Sequence, residues 1–377
     1  MENTCSELLG LCLRGEQWSA RLLDQALQVD EGRAFLSIVV ERLGDLFEPR
    51  LCDVYDHLFR QAVERIAPEL RPRIRPASSG SSISVETKRV YVLSRVTLGA
   101  DVAVTSVFLD AAKRRYPEAE IFFVGPRKNY ELFEADPRIA HRPAPYARSG
   151  ALRERIAASA ALWIDDGIVL DPDSRLSQLG VLSLCDEARY FWFESRAYGG
   201  DTLLRLPDLA SQWAKEILGV EGARPYVAPL PSAEPAVDIT VSLGVGENPA
   251  KRFEDNFEPE LLGVLAATGA SILVDKGGSE EEHRRVEAAL RPGMLAHDGA
   301  FAPFAAQVAN SKLFVGYDSA AGHVASACGV PMIGIASGFA NDRAAARWRP
   351  NGTVLTGSAK NTLGEVKHLL ASLRPRT

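Results

Sequence analysis

From Arg89 onward, short apolar runs alternate with amphipathic stretches of helical period, and the alternation occurs twice, on either side of a proline-rich break. A chain patterned this way is restricted to βαβ units, hence to mainly parallel sheets covered by helices on both faces. In the first half, Val90–Leu93, Ile121–Val124 and Leu162-Trp163-Ile164 are expected as strands, with a helix from Val102 to Tyr116 carrying basic residues in its last turn. The break is the run from Arg224 to Pro235. Beyond it, strands are expected at 238–243, 271–274, 313–315 and 332–335, and helices at 259–267, 280–290, 302–309 and 363–373. Two such halves place a ligand cleft between them, outside the carboxyl ends of both sheets.

Residues 1 to about 75 lack this punctuation. Apolar positions recur there at helical spacing, as in Leu22, Leu23, Ala26, Leu27 and in Val54, Leu58, Ala62, Ile66, so a bundle of three or four helices is expected. A Pro/Ser/Gly-rich connector, Arg71 to Ser82, follows. The expected domains are a helical segment at 1–80, a first Rossmann-like domain at 86–230 and a second at 236–377.

A net charge of −6 argues against nucleic acid as a partner. No apolar run approaches the ~20 residues of a membrane span, so no transmembrane segment is expected, and peripheral membrane association stays open. Met1 to Glu7 lacks a basic and an apolar leader region, and five scattered cysteines without Cys-x-x-Cys suit reduced thiols. The expected location is the cytoplasm. Six dispersed histidines show no metal-ligand spacing, and Asp171-Pro172-Asp173 is read as a turn, so neither a metal nor a cofactor is expected.

Three segments fall at expected strand ends. In Ser94 to Ser106, Thr97 and Gly99 form a turn from which Asp101 is expected to project into the cleft; the plain alternative is that Asp101 only caps its helix. In Val241 to Phe253, Gly244 and Gly246 allow close backbone approach, and Lys251 with Arg252 supplies positive charge suited to a diphosphate. In Leu313 to Pro331, a strand gives way at Asp318 and Ser319, both good N-caps, to a small-residue helix through Ala320, Ala321, Gly322 and His323, stopped by Gly329. Backbone N–H groups there, with the helix dipole, make an anion site; the alternative is an ordinary, well-capped βα unit.

In this order the three segments resemble the bacterial ADP-heptose:lipopolysaccharide heptosyltransferase family, glycosyltransferase family 9. The likeness rests on Leu98-Gly99-Ala100-Asp101 with its apolar stretch and Thr105, on Lys251-Arg252-Phe253, and on Asp318-Ser319-Ala320-Ala321-Gly322-His323 running into Ala327-Cys328-Gly329-Val330-Pro331. Leu162-Trp163-Ile164-Asp165 also looks like the family's Ile-Asp-x-x-Gly region, and the likeness spans residues 88–375. Ala100 is an extra residue between glycine and aspartate, and Ser319 and Ala320 stand where the family has Thr and Gly.

The resemblance implies a GT-B fold of two Rossmann-like domains facing a cleft, the first taking the acceptor and the second the nucleotide-sugar donor, here preceded by helices. It implies a glycosyltransferase moving a sugar, with heptose as one candidate, from a nucleotide-diphosphate donor to a glycan or glycolipid acceptor of lipopolysaccharide type. Inversion without a metal would follow, with Asp101 as catalytic base. Thr97, Gly99, Gly246, Lys251, Arg252, Asp318, Ser319, Ala320, Gly322 and His323 would bind substrate. Two alternatives stay open: a sugar-nucleotide epimerase or hydrolase of the same fold, and an inactive scaffold that binds nucleotide sugar.

Overall fold

The second alternation builds a six-stranded sheet in which every pair is parallel. The computed structural model describes residues 2–75, 86–246, 249–253, 256–336, 339 and 341–373. Most of the connector, Pro76 to Ser82, lies outside these residues, as do Glu247 and Asn248 of the glycine segment. Two compact units emerge: 1–130 with 137–224 and 340–348, and 131–136 with 225–339 and 349–377.

The sheet of the first unit contains β1 (Arg89–Leu93), β2 (Glu120–Gly125), β3 (Ile139–Pro143), β4 (Ile168–Asp171) and β5 (Tyr190–Trp192), in the order β3-β2-β1-β4-β5. That of the second contains β6 (Ile239–Ser242), β7 (Ile272–Asp275), β8 (Leu295–His297), β9 (Leu313–Tyr317), β10 (Met332–Ile335) and β11 (Thr353–Leu355), in the order β11-β10-β9-β6-β7-β8. Read from its other edge, this is the doubly wound Rossmann arrangement, and the first sheet follows it for five strands. The strand order reverses between β1 and β4 in one unit and between β6 and β9 in the other. Ligand crevices of open α/β sheets form at the carboxyl side of such reversals.

One expected strand is corrected. Leu162-Trp163-Ile164 is not extended into the sheet; Ile168-Val169-Leu170, six residues on, supplies β4. Gly167 makes the difference, with φ +70 and a position where a Cβ would lie 2.4 Å from the Arg89 carbonyl oxygen.

The helical segment contains Glu2–Arg14, Ala20–Gln28 and Pro49–Ile66, with a widened helical turn at Phe35–Val40 between them. It does not form a separate body. Leu23, Phe35, Val39, Leu58 and Phe59 share one core with Leu152, Ile156, Val181 and Leu182 of the α/β part. Residues 73–75 run along 181–183, through Ile74 paired with Leu182 and the Arg75 N–H donating to the Val181 carbonyl. The helix Asp342–Trp348, which the periodicity did not announce, also belongs to this unit. Its fully buried Arg347 donates to the Gly200 carbonyl, and Trp348 meets Phe47 edge-on.

Candidate functional site

In the second unit the two loops at the strand reversal come together. Gly316 allows it, because a Cβ there would stand 2.3 Å from the Ser242 carbonyl oxygen on the neighbouring strand. After β9, Asp318 and Ser319 lead into the nine-residue helix Ala320–Cys328, which Gly329 ends in the left-handed conformation at φ +69. Ser319 holds the N-cap position, but its side chain makes no capping bond, and its buried hydroxyl oxygen has no partner. Asp318 does not cap the helix either. Its carboxylate pairs with the Lys251 ammonium from the loop after β6. The expected capping is thus corrected, for a physical reason: an ammonium in reach is a stronger partner for a carboxylate than a neutral N–H. What remains is a helix N-terminus without a side-chain cap, flanked by small residues and a lysine. Such a terminus attracts anions.

His323, one turn into this helix, is part-buried, and burial pushes its pKa below the ordinary value, so it is neutral near pH 7. Gly322 is buried, and Gly246 is exposed at φ +61 with open space where a Cβ would be. Arg252 departs from its expected place beside Lys251. It pairs with the buried Glu258 at 3.1 Å, lies 3.8 Å from Glu282 and donates to the Leu243 carbonyl. Two carboxylates absorb its charge, so it braces the loop. Glu282 ties this turn to the loop after β7 by accepting from the N–H groups of Val245 and Gly278.

In the first unit the strand reversal carries a buried polar network that sequence reasoning saw only in part. Asp101 is fully buried and does not project. One carboxylate oxygen accepts from the Arg95 N–H at 2.7 Å and the Thr105 hydroxyl at 2.6 Å; the other accepts from the Ser94 hydroxyl at 2.7 Å and the Asn129 amide at 2.6 Å. Burial still raises its pKa against these four donors. The expected projection into the cleft is corrected: four donors enclose the carboxylate in this arrangement. The turn that follows Ala100 is widened, with the Ser106 N–H reaching back five residues to the Asp101 carbonyl. Gly99 is helical and buried, and Thr97 is exposed without a capping bond. The tight turn expected of Gly99 falls instead on Val96 at φ +58, a strained conformation for a β-branched residue.

Arg95, Asp173, Ser174, Ser195 and Arg196 were not anticipated. Arg95 donates to Ser195 and the Pro172 carbonyl, Ser195 and Arg196 both donate to Asp173, and Ser174 donates to the Ser94 carbonyl. The sequence signal was Asp171-Pro172-Asp173, with Asp173 at φ +68 in the turn after β4. Both aspartates are occupied: Asp171 accepts from Tyr190 and the Ser174 N–H, and burial raises its pKa to about 6.

Among the described residues no helix is long and apolar enough to cross a membrane. All five cysteines are free, and only Cys328 is exposed.

Residues 221–368 match Glycosyltransferase family 9 (heptosyltransferase). The Escherichia coli heptosyltransferase WaaC, solved with ADP-2-deoxy-2-fluoro heptose, superposes with TM-score 0.57 at 17% identity over 76% of this chain and 100% of its own. A glycosyl transferase family 9 protein from Veillonella parvula gives 0.57 at 17% over 78% and 100%. E. coli ADP-heptose lps heptosyltransferase II gives 0.52 at 16% over 75% and 99%. No curated protein sequence matches significantly. The two sheets are thus the Rossmann-like halves of a GT-B fold, preceded by helices, and the likeness to glycosyltransferase family 9 lies in residues 221–368.

Proposed function

We propose that this chain, a glycosyltransferase by its family 9 domain, transfers a sugar from a nucleotide-diphosphate donor to a glycan or lipopolysaccharide-type acceptor, with inversion and without a metal ion. One observation carries the donor side: the uncapped N-terminus of the helix Ala320–Cys328 lies at the β6–β9 reversal with Lys251 held beside it by Asp318. A departing diphosphate needs positive charge on its oxygens, a role a divalent cation fills in other enzymes. Here Lys251, the N–H groups of Ala320, Ala321 and Gly322 and the unpartnered Ser319 hydroxyl supply it. Lys251 keeps donors to spare, since one ammonium has three N–H groups and Asp318 takes one. Asp318 therefore neutralises and aims the lysine rather than meeting the phosphate. His323, neutral at this position, offers a hydrogen bond without adding charge.

Arg252, Gly246, Thr97 and Gly99 shape the loops in this assignment, and Asp101 holds the turn after β1. Its closed carboxylate is the one observation favouring an inactive nucleotide-sugar-binding scaffold. The E. coli heptosyltransferase WaaC was solved with an ADP-heptose analogue, so ADP and ADP-sugars head the candidate ligands. Cysteines without disulfides, Cys328 exposed and the others buried, fit a cytoplasmic site of action.

Calorimetric titration with a panel of nucleoside diphosphates tests the donor site. Lys251→Ala is expected to weaken the preferred diphosphate by about 1.5–3 kcal/mol, the worth of one charge-assisted contact, and to leave the melting temperature unchanged. Equal affinity in the variant would place Lys251 outside the site. Release of labelled sugar onto acceptor, against release into water, separates transfer from hydrolysis and from mere binding.

A further inference from the structure

Left-handed backbone conformations are unevenly spread along this chain. Among the described residues, those other than glycine that adopt them are Val96 in the loop after β1, Asp173, Gln178 and Leu179 in the loop after β4, and Asp30, Glu31 and Phe47 in the N-terminal helical segment. All belong to the first unit. Such conformations are unfavourable for a residue with a Cβ and persist only where surrounding contacts over-determine them, as at ligand clamps. The loops after β1 and β4 flank the strand reversal of the first sheet, where an open α/β sheet forms its crevice. Thr97 is exposed on this rim, and Val96, Leu98 and Glu194 of the loop after β5 are part-exposed.

One short segment braces these loops: Glu41 to Phe47, between the widened turn Phe35–Val40 and the helix Pro49–Ile66. Glu41 accepts from Arg175 of the loop after β4 at 3.0 Å. Gly44 brings the segment against Arg196 of the loop after β5, where a Cβ would stand 2.7 Å from the arginine side chain, and Asp45 pairs with its guanidinium at 3.6 Å. Arg196 in turn donates to Asp173, itself in the left-handed conformation. The Leu46 and Phe47 carbonyls accept from Asn341 at 3.1 Å and from Arg343 at 3.2 Å, which seats the helix Asp342–Trp348. Phe47, at φ +55, meets the Trp348 ring edge-on at 6.3 Å, and the Arg95 guanidinium from the loop after β1 lies 5.9 Å from the centre of that ring. Residues 41–47 thus reach the loops after β1, β4 and β5, directly or through one intervening side chain, and all these contacts lie within the first unit. A segment that only completed a core would do so with apolar side chains, as Leu23 and Phe35 do. Largely buried ion pairs add little stability, because desolvation offsets their attraction. Here they fix where two loops stand.

We infer that the segment Glu41–Phe47 positions the acceptor-binding loops. Glu41 and Gly44 act through Arg175 and Arg196 to hold the loops after β1, β4 and β5 in the conformation that receives the acceptor. This rests on the transfer proposed above, with the first unit on the acceptor's side. Loops held in advance spare acceptor binding the cost of ordering them and present the acceptor in one orientation. The segment acts through the loops and not by contact with the acceptor. The N-terminal helices are thereby a working part of the enzyme and not a separate docking module.

The test perturbs the full chain at the two narrowest points of the segment. Gly44→Ala adds only the methyl that meets Arg196, at a helical position where alanine is favoured, and Glu41→Gln removes the charge facing Arg175. Initial rates are measured with a nucleotide-sugar donor and a lipopolysaccharide-core oligosaccharide, beside donor hydrolysis without acceptor, calorimetric binding of nucleoside diphosphate, and hydrogen exchange. Each variant is expected to lower kcat/KM for the acceptor by about 10–100-fold, mainly through KM, with hydrolysis and diphosphate affinity unchanged. Exchange is expected to quicken in residues 95–98 and 172–179 and to stay slow in β1 and β4. Leu23→Ala, which opens a cavity in the helical core without changing the segment, should lower the melting temperature and leave acceptor KM as in wild type. Unchanged acceptor kinetics in both variants, or a loss that Leu23→Ala reproduces in step with melting temperature, overturns the positioning role alone. A wild type that binds diphosphate and hydrolyses donor but transfers no sugar overturns the transfer reading, and the positioning role with it, before any variant is compared.

Discussion

Asp101 separates a base from a brace most cleanly, because two substitutions act on it in opposite ways. Replacement by alanine strands the four donors that converge on the carboxylate. The Ser94 and Thr105 hydroxyls can rotate to other acceptors, but the Arg95 N–H and the Asn129 amide cannot. Two buried, unsatisfied donors at about 1–3 kcal/mol each give a loss of about 2–6 kcal/mol for Asp101→Ala. Replacement by asparagine is far milder. Its oxygen can keep the Arg95 and Thr105 bonds, and its new N–H groups meet Ser94 and Asn129. The Asn129 carbonyl oxygen has no partner, so that amide can turn to receive them.

What Asn loses is charge assistance, and what it gains is relief from burying a charge. The raised pKa of Asp101 shows that burial outweighs the four donors, so the two changes oppose each other. Stability of Asp101→Asn is therefore expected within about 1–2 kcal/mol of wild type by urea denaturation, and kcat within about tenfold. If Asp101 were the base, the same variant would keep its stability and lose about 10²–10⁴ in kcat. That outcome refutes the brace and requires the loop to open when substrate binds.

Three further outcomes can be checked. Transfer activity should survive EDTA and gain nothing from added Mg²⁺ or Mn²⁺; loss on chelation with recovery on metal addition would overturn the metal-free route. Removal of residues 1–80 should give insoluble or unfolded protein, because Leu152, Ile156, Val181 and Leu182 would lose the helices they pack against; a soluble, active truncation would refute the shared core. For Glu194, a folded-state pKa near 7 means the native carboxyl holds its proton over a window where the unfolded chain has released it. Wild type should thus lose up to about 3 kcal/mol relative to Glu194→Gln as pH rises from about 4.5 to 7; parallel pH–stability curves would show the carboxyl to be unperturbed.

How much of this was legible in the sequence depended on where each element sits in its sheet. The interior strands β1, β2, β6, β7, β9 and β10 are buried on both faces and read as near-continuous apolar runs, so all six were found. The four that went unseen, β3, β5, β8 and β11, are the edges of the two sheets. They are three to five residues long and, but for β5, mix polar with apolar positions, as in Ile139-Ala140-His141-Arg142-Pro143. Edge strands are commonly short and polar, which removes the signal that periodicity relies on. β4 was misplaced because two apolar triplets lie six residues apart, and only the Gly167 turn decides between them.

The site followed a different logic. Sequence spacing located all three strand-end loops, because glycine, small-residue and N-cap patterns are local. It could not say which charges are free. Lys251 and Arg252 are adjacent in sequence, yet one meets a single carboxylate at an open helix terminus while the other lies between Glu258 and Glu282. Asp101 has the composition of a base and the environment of a buried brace, whereas Glu194 stood in no motif at all. Whether a carboxylate is available for chemistry is set by donors brought in from distant positions. Asn129 and Thr105 reach Asp101, while among the described residues no donor bonds the Glu194 carboxylate. The family pattern marks where the loops are. Which residue in them holds a lone pair open depends on the tertiary contacts of this particular chain, and the helices added before Arg89 are among them.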